Sequence, residues 1–167
     1  TLAVYGDSYA DTNAYRWTLE KNPSKYLQDK YNNAWPVILS KMLGADLVCY
    51  ARNGTNRQWS YNQFKESAGF HDYYVIVHTF YNRIVSIIEP NMMRFGYWRP
   101  DHETFPIEEY RTAFEEYYRV FKDPEVNQIA HVGFNHAYAK IIKEKHIPRN
   151  RIMHLFVDPH HDTNGPA

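Results

Sequence analysis

The run Tyr73-Tyr74-Val75-Ile76-Val77 constrains this chain more than any other stretch, because five aromatic or β-branched residues follow one another without a break. Such a strand has no face to offer water. It predicts a sheet covered on both sides, the situation created by parallel strands joined through helical crossovers. Leu2-Ala3-Val4-Tyr5 is a shorter apolar run ending at Gly6, and residues 46–50 and 152–157 supply two further strands. Helical spacing lies between them. Trp35, Ile38, Leu39, Met42 and Leu43 recur on one face of 35–43, with Pro36 in the first turn and Gly44 just past the end. Residues 57–67 predict a short helix, Pro106 opens an amphipathic helix to about residue 121, and another helix follows over 124–145. Residues 12–32 lack clean periodicity and read as an irregular surface excursion. Residues 89–106 carry Pro90, Gly96, Pro100 and Pro106 and read as a long loop centred on Tyr97-Trp98. The element order predicts an α/β fold with a mainly parallel sheet and helices on both faces.

A chain of 167 residues without an internal repeat or composition break is expected to form one domain over 1–167, whose natural C-terminus can lie beyond Ala167. Nineteen basic and nineteen acidic residues cancel, which argues against broad electrostatic capture of nucleic acid or of an anionic membrane. No apolar stretch approaches the ~20 residues that span a bilayer. A chain that begins at Thr1, inside a strand-like run, leaves its compartment open. Cys49 is the single cysteine, so no internal disulfide and no cysteine-based zinc site is expected, and its apolar neighbours predict a buried, inert thiol.

In open parallel sheets, chemistry gathers in the loops beyond the carboxyl ends of the strands. Four segments fall there: Gly6-Asp7-Ser8, Asn53-Gly54-Thr55-Asn56, residues 79–83, and residues 158–161. Together they hold what acyl transfer requires. A serine hydroxyl needs a base to take its proton, and the base needs a third group to fix its tautomer. The carbonyl oxygen, as it becomes negative, needs donors already in place. Ser8 follows a strand and a glycine; Gly54 offers a backbone N–H that no side chain shields; Asn82 offers a side-chain amide. Asp158 and His161 stand three residues apart as possible orienter and base.

These residues carry a resemblance. Gly6-Asp7-Ser8-Tyr9 resembles the first block of the SGNH/GDSL hydrolases, with Tyr9 in place of the family's leucine. Ala51-Arg52-Asn53-Gly54 resembles the second block, and Phe80-Tyr81-Asn82-Arg83 stands where the third block, Gly-x-Asn-Asp, would be, keeping its Asn. Asp158-Pro159-His160-His161 is similar to the closing Asp-x-x-His. The resemblance implies a three-layer α/β/α sandwich of flavodoxin-like type, no cofactor and no metal. It implies hydrolysis of a small acyl ester, with an acetyl ester on a carbohydrate as one expected case. It assigns Ser8 as nucleophile, His161 as base, Asp158 as orienter, and Ser8, Gly54 and Asn82 as oxyanion donors. It says nothing of oligomeric state.

Plainer readings stand beside these. Asp7 and Ser8 can cap a helix, Gly54 can be a turn glycine, and Asn82 can serve its own loop. Asp158, His160, His161 and Asp162 can also be read as a metal site, although adjacent histidines rarely reach one ion. His131 and His136 fit structural positions on a helix. A binding or structural module on the same fold, without turnover, is the competing class of function.

Overall fold

A computed structural model describes residues 1–53, 55, 57–78 and 124–156, with the backbone alone at 124–128 and 131. The expected helix over 106–121 and the loop over 89–106 lie outside those residues. Four strands are described: β1 (Leu2–Tyr5), β2 (Leu47–Cys49), β3 (Tyr73–His78) and β4 (Ile152–Phe156). They form one sheet in the order β2-β1-β3-β4. Every pairing is parallel, with Leu2 beside Leu47 and Tyr73, and Tyr74 beside Ile152. The α/β class with a parallel sheet follows directly.

Side-chain alternation along β1 and β3 divides the core in two. Leu2, Val4, Val75 and Val77 pack with Ala10 and Ala51, backed by Trp35 and Leu39 of α3 (Trp35–Met42). Ala3, Tyr5, Tyr74 and Ile76 pack instead with Phe64 and Ala68 and with Tyr138 and Ile141. Phe64 belongs to α4 (Arg57–Ser67), and Tyr138 and Ile141 belong to the helix Pro124–Glu144, here α5. Both faces of the central strands are therefore buried, as their unbroken apolar runs require. Burying one such side chain is worth about 1.5–3 kcal/mol, before the entropy of ordering it.

Residues 12–32 are not irregular. They form α1 (Asn13–Lys21) and α2 (Lys25–Asn32), neither of which contains a buried residue. An apolar period has no buried face to mark, so periodicity is silent here. The cues are local. The Ser24 hydroxyl accepts from the Leu27 N–H at 3.2 Å, and Asp11 Oδ1 accepts from Asn13 N–H and Ala14 N–H at 2.9 and 3.2 Å. Lysines one turn on cover exposed rings, Lys21 over Trp17 and Lys30 over Tyr26. Cys49 is half-buried rather than buried, because β2 is the outer strand on its side of the sheet. No helix among the described residues is long and apolar enough to cross a membrane.

The chain first steps from β1 to β2, then crosses back past β1 to β3. Strand order thus reverses at β1, and the crevice beyond the carboxyl ends of β1 and β3 is a topological switch point.

Candidate functional site

Backbone geometry aims the chain at that crevice. Gly6 ends β1 with φ 155°, and a Cβ placed there would meet Val77 Cβ at 2.8 Å. The close approach leaves room for glycine alone. The chain then turns: Ala10 N–H donates to Asp7 O at 3.0 Å, while buried Asp7 folds its carboxylate back to accept from Tyr9 N–H at 3.1 Å. This turn places Ser8 at its first corner, exposed to solvent. Asp7 closes the turn, so Ser8 is not needed as a cap. Among the described residues Ser8 makes no hydrogen bond. Trp35 Nε1–H holds the far side of the turn, donating to Tyr9 O at 2.7 Å.

The loop after β2 is tied against the same turn. Arg52 N–H and the Thr55 hydroxyl both donate to Gly6 O at 3.2 Å. Thr55 is fully buried and its hydroxyl also lies 2.6 Å from Arg52 O. Asp11 Oδ2 accepts from Asn53 N–H at 2.8 Å. Arg52 is half-buried, with its guanidinium 5.4 Å from the centre of the Trp59 ring. Ser8 and the residues on either side of position 54 therefore share one rim.

Further along the rim, buried His78 ends β3. Its Nε2 lies 2.7 Å from Nδ1 of His154 on β4, and its ring stacks on Phe156 at 4.4 Å. One of these rings must supply the N–H and the other the lone pair. Partial desolvation lowers the pKa of His154 from its ordinary value. The Tyr138 ring meets His78 edge-on. Burial pushes the Arg57 guanidinium down to about 10, so it stays charged at neutral pH.

Of the residues singled out from sequence, Ser8 is described, at the exposed corner that follows β1. Gly54, Asn82, Asp158 and His161 lie outside the described residues, as do His160, Asp162, Tyr97 and Trp98. The flanks of position 54 are described, and β4 ends at Phe156, two positions before Asp158. His136 is exposed on α5. No group of three or more metal-binding side chains occurs among the described residues. A cavity of about 340 Å³ opens beside β2, lined by Arg16, Tyr31 and Cys49 among others, but not by Ser8.

Sequence reasoning missed the residues that hold this rim together. Asp11 and Thr55 bond to backbone across loops, a pairing that no local pattern announces. The His78–His154 contact joins residues 76 positions apart. Asp11 alone left a trace, as a helix-capping residue two positions ahead of Asn13. Comparisons with models of protein families, with curated proteins and with solved structures return no match for this chain.

Proposed function

We propose that this protein is a serine esterase of SGNH type, hydrolysing a small acyl ester, such as an acetyl ester on a carbohydrate. In this reading the fold is the corresponding three-layer α/β/α sandwich. Ser8 Oγ attacks the ester carbonyl as His161 takes its proton, and Asp158 holds the imidazole in the correct tautomer. The oxyanion is met by the Ser8 and Gly54 N–H groups and by the Asn82 amide. As the carbon–oxygen bond to the alcohol breaks, His161 returns the proton to the leaving oxygen. Water then enters by the same route and frees the acid from Ser8.

The observation that carries the reading is the setting of Ser8. It occupies an exposed corner beyond a central strand, at the switch point, with a hydroxyl committed to no hydrogen bond among the described residues. Turn closure belongs to Asp7, which removes the competing reason for a serine there. Packing on both faces of the sheet supports the layered architecture.

The test pairs a fluorophosphonate probe with a short-chain chromogenic ester. Wild-type protein is expected to label at Ser8 and turn over the ester. Ser8→Ala is expected to abolish labelling and cut turnover by several orders of magnitude. Equal turnover by both proteins would refute the assignment. Neither labelling nor turnover in wild type would leave a binding module on the same fold.

A further inference from the structure

We infer that the Arg52 guanidinium binds an anionic group of the ester substrate, a carboxylate, sulfate or phosphate carried beside the scissile bond. This inference rests on the reading of Ser8 as an esterase nucleophile and adds a charge preference to it.

Arg52 is fixed by its backbone at the rim itself. Its N–H donates to Gly6 O at 3.2 Å, two positions before Ser8, and the Thr55 hydroxyl lies 2.6 Å from its carbonyl oxygen. The side chain then lies over the face of Trp59, near the 6 Å reach of a cation–π contact. Trp59 is anchored in turn, its Nε1–H donating to Tyr50 O at 3.3 Å. A guanidinium held against a ring is preorganised, and it keeps its edge free for a fork-shaped partner.

Among the described residues no carboxylate pairs with this cation. The two acids near this rim among the described residues are committed elsewhere. Asp11 accepts three backbone N–H groups, from Asn13, Ala14 and Asn53. Asp7 is fully buried and accepts from Tyr9 N–H. The N–H dipoles aimed at these carboxylates offset part of their field. Arg52 is half-buried, so its attraction is screened less by water than that of a fully exposed cation. A cation of this kind, rooted on the rim that carries the candidate nucleophile and with no acidic partner among the described residues, is suited to a substrate anion.

The test compares two aryl acetates that differ only in a ring substituent, one neutral and one a carboxylate. Wild type is expected to favour the carboxylate ester by about tenfold in kcat/KM, the scale of one charge-assisted hydrogen bond, mainly through KM. The preference should shrink as salt is added. Arg52→Gln should bring the ratio of the two kcat/KM values close to one, and Arg52→Lys should restore part of it. Fluorophosphonate labelling of Ser8 in each variant checks that the rim is intact. Turnover of both esters with no preference in wild type would overturn the Arg52 assignment alone. So would a preference that survives in a labelled Arg52→Gln protein. If wild type neither turns over an ester nor labels, the esterase reading falls and takes this inference with it.

Discussion

The two faces of the sheet solve the same burial problem with different chemistry. Toward α3 the core is small and aliphatic: Leu2, Val4, Val75 and Val77 with Ala10 and Ala51. Toward α4 and α5 it is aromatic, built on Tyr5, Phe64, Tyr74 and Tyr138 with edge-on and tilted rings. The buried side chains of the aliphatic cluster carry no polar atom, so their demand is steric. The aromatic face brings phenol hydroxyls into the interior, and each needs a partner. Tyr5 Oη lies 2.7 Å from Ser67 Oγ, and Tyr74 Oη accepts from Gly69 N–H and His71 N–H at 3.0 Å each. Among the described residues the buried Tyr138 Oη has no hydrogen-bond partner. Burial raises the pKa of both Tyr5 and Tyr138, so these hydroxyls stay neutral across the ordinary pH range.

The largest effect expected from that contrast belongs to a steric change on the aliphatic side. Gly6→Ala should destabilise by about 2–3 kcal/mol, since the added methyl collides with Val77 and the new residue inherits an unfavourable φ. Urea denaturation measures it, and a loss below half a kcal/mol would mean that the strand end yields easily. On the aromatic side two conservative changes should part in sign. Tyr5→Phe should cost about 1 kcal/mol by breaking the contact with Ser67, whereas Tyr138→Phe should be neutral or stabilising by up to about 1 kcal/mol. Matching losses in the two thermal melts would erase the distinction.

The smallest effect concerns pH, at the His78–His154 contact. The folded-state pKa of His154 lies below its ordinary 6.5, so the unfolded chain binds the proton more readily. Its contribution to stability is complete above about pH 6.5 and is lost as pH falls toward the folded value. Protonating both rings also removes the lone pair that their hydrogen bond needs. The urea midpoint should therefore fall between about pH 7 and pH 5.5, and His154→Gln should flatten that slope. An unchanged slope in the variant would assign the pH dependence elsewhere.

Much of this architecture was legible as pattern. Apolar runs announced β1, β2 and β3, a run interrupted only by His154 announced β4, and helical spacing with Pro36 and Gly44 at its ends announced α3. Helix α4 appears over the expected 57–67 and α5 ends within one residue of its expected limit. What escaped was structure that buries no face of its own. Helices α1 and α2 depend on Asp11, Ser24 and exposed ring contacts, which leave no period to count. The candidate site divides similarly. A glycine followed by a polar turn at the end of a buried strand is a local signature, so the setting of Ser8 could be anticipated. Thr55 on Gly6 and His78 on His154 are contacts between distant segments, invisible until the chain is folded, and Arg52 over Trp59 depends on how the loop after β2 turns into α4.

Asp11 gathers N–H groups from both the start of α1 and residue 53, and this has a mechanical consequence. The segment leading from Ser8 and the strip leading to position 54 share a single carboxylate, so their thermal excursions are correlated rather than independent. Any displacement that carries the serine corner outward draws its neighbour along, and the spacing between them varies less than either position does.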